Sequence, residues 1–353
     1  MKFLAITNPG LSHVTQSELT LKNCQEITVD QDCILFQTAS SQISTLLTHL
    51  QAPKRVILYL DSNFTCEQLC IKAPTVDFLP KIFTYKIEFE GVRGQENRTA
   101  LLKTLAPLLG SYLEKQNVKA TYQPKNPTLT FVICYSQTTY YLGIDLAGDL
   151  SSRPYRLFAH TASLKGDLAF SIIHNCELES NQKILIGFAK DGVLGIEAAL
   201  FLNNLPVRDI SLLPINHLSI KDLSSQVPLK PATKTNIDLF ETTIPNLNAI
   251  RKNSALAKVS SYLFLHKCFI DDLDVRFEAT SFDRVLVHLT TKDETKINEI
   301  YYQSEYVLKS KGLLLLFTRS TFQITPPTKF DLVSTTPFVR GDNQSLLWKL
   351  RKK

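Results

Sequence analysis

Residues Ile184–Leu200 read ILIGFAKDGVLGIEAAL. An apolar run, Ile184-Leu185-Ile186, enters a loop, and the loop enters the amphipathic segment Ile196-Glu197-Ala198-Ala199-Leu200. Strand, tight turn and helix in that order open an α/β sheet of the kind that takes a ligand at the strand's carboxyl end, facing the helix amino terminus. Such a turn favours several glycines, because the backbone must approach the ligand closely. This one has Gly187, Gly192 and Gly195, while Lys190 and Asp191 fill its tip. Its position is that of a ligand turn, and its residues are poorly suited to the task.

The rest of the composition sharpens that conflict. Glycine is 12 of 353 residues, about 3% against a usual share of about 7%. Hydrophobic residues make up 44% and charged residues 20%, which excludes a disordered chain and predicts two or three domains with their own cores. No apolar run is long enough to cross a bilayer, so no membrane association is expected. Met1–Ile6 lacks a signal peptide's apolar centre. The seven cysteines are odd in number and scattered, as in reduced thiols of a cytoplasmic protein. Cys66 and Cys70 lie four apart, but no second pair or nearby histidine completes a metal site, so none is expected. The formal net charge of +6 is compatible with a nucleic-acid partner and also with many enzymes.

Working back to the start, Phe3–Thr7 reads as a strand and Asn8-Pro9-Gly10 as a turn, with Ser12 placed to cap a helix reaching about Lys22. Glu26–Val29 and Cys33–Gln37 form a hairpin, Ile43, Leu46, Leu47 and Leu50 follow helical spacing, and Arg55–Leu60 closes the set. The order βαββαβ predicts a ferredoxin-like domain over residues 1–62. Residues 63–80, with Pro74 and Pro80, form a connector. Beyond it Phe83–Phe89 is a strand. Ala100, Leu101, Leu105, Leu108, Leu109 and Leu113 line a helix in which Pro107 predicts a bend or break. Leu129–Tyr135 and Tyr140–Leu146 are strands. Arg93, Arg98, Lys103, Lys115, Lys119 and Lys125 give this segment scattered positive charge beside Tyr122. Solvated surface is the ordinary fate of such residues, and together they could track phosphates.

Here a resemblance enters. Gly143-Ile144-Asp145-Leu146-Ala147-Gly148, then Arg153-Pro154-Tyr155-Arg156, then Ala162, Leu164-Lys165 and Leu168-Ala169, resemble the joint between a THUMP domain and its methyltransferase domain. Pro9-Gly10-Leu11 with Glu18-Leu19, and Arg55-Val56, resemble the same family's opening motifs. The family is that of THUMP-containing, S-adenosyl-L-methionine-dependent RNA methyltransferases, which modify the exocyclic amine of guanosine in tRNA or ribosomal RNA. The resemblance implies an α+β amino-terminal part, ferredoxin-like plus THUMP (81–149), then a linker helix region (150–180) and a Rossmann-like α/β methyltransferase domain (181–353). It also implies structured RNA, tRNA foremost, as partner, a flipped target base, and RNA contacts from Arg153 and Arg156. Arg93, Arg98 and Lys103 join these on charge alone.

Against the family's first motif, Gly187 and Gly192 fall on the cofactor loop, Lys190 replaces a loop glycine and Asp191 a serine. Glu241, at the end of a strand over Asn236–Glu241, falls on the ribose-binding acid twelve residues before Asn253. An ordinary acid at a strand end satisfies the same pattern. Asp271 and Asp272 resemble the adenine-contacting turn. At the end of Phe282–Val287 the family's Asn-Pro-Pro-Tyr becomes His288-Leu289-Thr290-Thr291, so His288 is the catalytic candidate, although a histidine there is more often structural. Leu313–Phe317 reads as a buried strand, and Lys329–Ser334 with Leu346–Leu350 as a closing hairpin, Trp348 lying in its core. Residues 207–235 read as an insertion before the second strand of a seven-stranded, mostly parallel sheet. Three functional readings follow. The first is an RNA-binding protein with a degenerate methyltransferase site, the second an active guanosine methyltransferase with a divergent site, and the third a scaffold or partner subunit that has lost RNA.

Overall fold

The computed structural model describes residues 1–70, 73–220, 235–322, 324–340 and 343–353. The described residues fall into two units, 1–150 with 208–220, and 151–207 with 235–353.

The first unit contains β1 (Lys2–Ile6), α1 (Ser12–Leu21), β2 (Gln25–Asp30), β3 (Cys33–Gln37), α2 (Ser40–His49), β4 (Arg55–Asn63), β5 (Ile82–Glu90), α3 (Gln95–Lys115), β6 (Lys119–Tyr122), β7 (Leu129–Tyr135) and β8 (Tyr140–Asp145). One sheet holds all eight strands, in the order β2-β3-β1-β4-β8-β7-β5-β6. Segments 1–62 and 81–149 are therefore halves of a single sheet, joined where β4 pairs antiparallel with β8. Strand alternation puts Phe3, Val56 and Phe131 in a core shared with the helices, and Leu4, Ile57 and Val132 in a cluster on the opposite face. Leu11, buried and without a side-chain cap, precedes α1, and Ser12 is its first residue rather than its cap. Helix α3 runs through Pro107, which is exposed.

Residues 208–220 lie with this unit and not inside the second domain. Arg208 Nη1 donates to the Leu47 carbonyl at 2.7 Å, and Ile215 N donates to the Leu146 carbonyl at 3.0 Å. The rest of the expected insertion, 221–234, lies outside the described residues.

The second unit contains α4 (Gly166–Asn175), β9 (Ile184–Gly187), α5 (Val193–Leu202), β10 (Ile237–Glu241), α6 (Ile244–Leu256), β11 (Leu263–Lys267), α7 (Leu273–Arg276), β12 (Phe282–His288), α8 (Glu294–Val307), β13 (Leu308–Arg319), β14 (Phe330–Arg340) and β15 (Asn343–Lys352). Its seven-stranded sheet has the order β11-β10-β9-β12-β13-β15-β14. Strands β9 to β13 pair in parallel, and β15 is antiparallel to both neighbours. Ile184, Leu185 and Ile186 have no exposed surface, as a strand covered on both faces requires. Trp348 is half-buried, its indole N–H bonded to Thr318 Oγ1 at 3.1 Å. The strand order reverses between β9 and β12. The crevice at the carboxyl ends of those two strands is where an open α/β sheet takes its ligand.

Candidate functional site

The loop after β9 is shaped before it is chemically equipped. A Cβ on Gly187 would overlap the Phe240 ring, so glycine is required for the adjacent strand to pack. Phe188, Lys190 and Gly192 follow with φ of +51°, +55° and +85°, three left-handed residues of which only one is glycine. The loop thus keeps a glycine's backbone at position 190 and carries a lysine on it. Gly192 N donates to the Ala189 carbonyl at 2.7 Å, closing the turn from which α5 starts.

That lysine fills the crevice. Lys190 is 8% exposed. Its ammonium donates to His288 Nδ1 at 2.9 Å and to the Ala162 carbonyl at 3.3 Å, so it spans the gap between the ends of β9 and β12. Its amide donates to Glu241 Oε2 at 2.7 Å, and Thr242 N donates to Glu241 Oε1 at 2.9 Å. Burial lowers the ammonium to about 8, against the pull of Glu241 and Asp191. Burial, then the charges of Lys190 and Arg319, lower His288 to about 3. The imidazole is therefore neutral at ordinary pH and accepts at Nδ1, which puts its proton on Nε2.

Asp191 is 1% exposed and faces a covering segment. It accepts from Arg156 Nε at 3.2 Å, from His160 N at 3.2 Å and from Ser163 Oγ. Asn253 fixes the same segment. Its side chain accepts from Phe158 N at 3.1 Å and donates to the Phe158 carbonyl at 3.1 Å and the Asp191 carbonyl at 2.9 Å. Residues 156–163 are thereby tied down over the loop by its own carboxylate.

One assignment needs correction. Arg153 is not available to RNA, since its side chain has no exposed surface and forms a bidentate pair with Glu197 of α5, at 2.7 and 2.9 Å. Tyr155 OH donates to the same carboxylate at 2.5 Å. The guanidinium lies across Gly166, where a Cβ would strike it. Arg156 is half-buried, with its Nε on Asp191 at 3.2 Å.

Arg93, Arg98 and Lys103 are exposed in the first unit. Arg93 and Arg98 line a cleft of about 880 Å³ that also takes in Lys54, Asp32 and Glu90. Asp271 and Asp272 are exposed on the turn after β11, fixed through the Asp271 carbonyl by Gln303 Nε2 at 3.0 Å. Gly187, Gly192, Glu241 and His288 converge at the crevice, joined through Lys190.

The loop after β9 is not the open, glycine-lined cradle that S-adenosyl-L-methionine would take. The space a loop glycine would leave holds the lysine side chain, and Glu241 is turned to two backbone amides. No metal-binding group of three or more His, Cys, Asp or Glu occurs among the described residues, and no described helix is long and apolar enough to cross a membrane. What remains open is a cleft of about 880 Å³ past the ends of β12 and β13, lined by Thr161, Ser163, His288, Thr290, Arg319 and Ser320 among others.

No protein-family profile matches the chain. Over 213 residues, 58% of the chain, it is 22% identical to the ribosomal RNA large subunit methyltransferase K/L of Vibrio campbellii, covering 30% of that protein. Over 101 residues, 28% of the chain, it is 27% identical to the tRNA (guanine(6)-N2)-methyltransferase of Methanocaldococcus jannaschii, covering 26% of that protein. The chain thus spans less than a third of these curated relatives. Among solved structures, TrmN from Thermus thermophilus superposes with a TM-score of 0.72 over 100% of this chain and 99% of its own, at 15% identity. SMU.472, crystallised with SAH, superposes with a TM-score of 0.72 over 100% of this chain and 98% of its own, at 13% identity. The chain is similar in sequence to RNA methyltransferases and shares the fold of these two structures, including a Rossmann-like mixed α/β sheet.

Proposed function

We propose that this is a cytoplasmic RNA-binding protein, with structured RNA of the tRNA class as its partner, built as a ferredoxin-like plus THUMP part and a methyltransferase-fold domain that no longer transfers methyl groups. The observation that carries the reading is the Lys190–His288 contact at 2.9 Å across the switch-point crevice. Methyl transfer depends on holding cofactor and amine in line, which can supply several kcal/mol of barrier reduction. Here a buried lysine takes the cofactor's ground, and a histidine lowered to about 3 is too weakly basic to accept a proton near neutrality. The RNA is gripped by the first unit, with Arg93, Arg98 and Lys103 as the phosphate contacts. The second reading, an active guanosine methyltransferase with a rebuilt site, is favoured by the cleft beside His288.

Calorimetric titration of S-adenosyl-L-methionine into the full chain tests the reading. We expect no saturable heat up to millimolar cofactor. Micromolar saturable binding would favour the active reading.

A further inference from the structure

Cys33 opens β3 and Cys134 lies near the end of β7. Both are free thiols, 1% and 2% exposed, with their sulfurs 2.8 Å apart. Three strands, β1, β4 and β8, separate β3 from β7 in the sheet. At about 4.8 Å per strand, a flat sheet would hold β3 and β7 roughly 19 Å apart. The sulfurs meet because the sheet curls upon the face that carries Leu4, Ile57, Val132 and Tyr141. A register slip between Tyr59 and Asp61, where β4 meets β8, marks a bulge of the kind that tightens such a bend. A second strut spans the same gap, since Asp30 accepts from Ser136 Oγ at 2.5 Å and from Tyr141 OH at 2.7 Å. The curl therefore stands without a covalent link. A disulfide bond is about 2.05 Å long, so closing one requires less than an ångström of further approach.

We propose that Cys33 and Cys134 form an oxidisable dithiol, which a peroxide or a low-molecular-weight disulfide converts into a cross-link stapling the curled sheet. With peroxide, one thiolate sulfur attacks a peroxide oxygen and becomes a sulfenic acid, and the displaced hydroxide leaves as water. The second thiol then attacks the sulfenic sulfur, and its proton leaves with the displaced hydroxide as a second water. Each sulfur loses one electron, and the two together reduce the oxygen–oxygen bond. Both cysteines line the cleft beside Arg93 and Arg98, which gives a small oxidant its approach. The adjoining Cys33 thiol and burial raise the Cys134 thiol well above its ordinary value, so the pair reacts slowly and needs sustained oxidant. The residues lie 101 apart in sequence, so the link closes a long loop and constrains the unfolded chain strongly.

The full-length protein is incubated with hydrogen peroxide or glutathione disulfide, alkylated, and examined by intact mass, peptide mapping and thermal melting. The expected result is loss of two hydrogens, a linked Cys33–Cys134 peptide, and a rise in Tm of several degrees that dithiothreitol reverses. Cys33→Ser should lose both the link and the rise. Cys66→Ser should keep both, excluding the rival Cys66–Cys70 pair. Should Cys33→Ser fail to fold, Cys134→Ala takes its place. A link between other cysteines, sulfinic acid without a link, or a link that leaves Tm unchanged or lower would overturn the proposal.

Discussion

Lys190 and His288, 98 residues apart, are bonded to each other at 2.9 Å across the point where the parallel sheet reverses its order. Each stands where the related methyltransferases are expected to carry a residue of the reaction, a loop glycine and an amine-holding asparagine. On the proposed reading these two replacements are one structural event, the lysine of the loop after β9 being held by the histidine that ends β12.

Reversing that event should reopen the crevice. Lys190→Gly removes a side chain from a residue at φ +55° and relieves strain of roughly 1 kcal/mol. Combined with Asp191→Ser, it also releases the segment held through Arg156, His160 and Ser163. The double variant is expected to bind S-adenosyl-L-methionine measurably by calorimetry where the parent does not. An unchanged, null titration in a folded variant would show that the cofactor's other contacts are gone as well.

Acid should weaken the second unit through His288. Its folded value of about 3 lies below the ordinary 6.5, so between these limits the unfolded chain binds the extra proton. Stability then rises with pH across that window and is lost as pH falls through it. At about 1.4 kcal/mol per tenfold change in proton affinity, a few kcal/mol are at stake. Lys190, at about 8 against an ordinary 10.5, adds a second rise between those values. Trp348, the single tryptophan, reports unfolding of this unit by fluorescence during urea titrations. His288→Gln should flatten the acid limb, and a limb as steep as the parent's would remove His288 as its cause.

Arg153 and Arg98 should separate stability from binding. Arg153→Ala takes the cation from the buried Glu197 carboxylate, which keeps the Tyr155 hydroxyl, at a cost of about 3–5 kcal/mol, read as a lower urea midpoint. Arg98 is exposed, and Arg98→Ala should leave the midpoint nearly unchanged. A small effect at 153 would contradict the buried pair.

The triple variant Arg93→Ala, Arg98→Ala, Lys103→Ala should bind tRNA more weakly. Its slope of log affinity against log salt should be shallower by about 2 to 3, roughly one for each phosphate no longer neutralised. An unaltered slope would move the RNA surface elsewhere.

The central strands could be read from residues because burial on both faces leaves uninterrupted apolar runs, as in Ile184–Ile186 and Leu313–Phe317. The convergence of Gly187, Gly192, Glu241 and His288 followed from strand ends. Strand β6 escaped because its four residues are mostly exposed and carry no alternation. The packing of 208–220 escaped because Arg208 caps carbonyls of Leu47 and Leu50, more than 150 positions away. Arg153 was misassigned because charge does not say which way a side chain faces, and its partner Glu197 lies 44 residues on.

The most direct test of the closed site is methyl transfer itself. Purified full-length protein is incubated with total RNA and radiolabelled S-adenosyl-L-methionine, and incorporated label is counted per protein and per RNA. The account predicts background incorporation, unchanged by His288→Ala. Stoichiometric labelling of one guanosine, abolished by His288→Ala, would contradict it and show a rebuilt site.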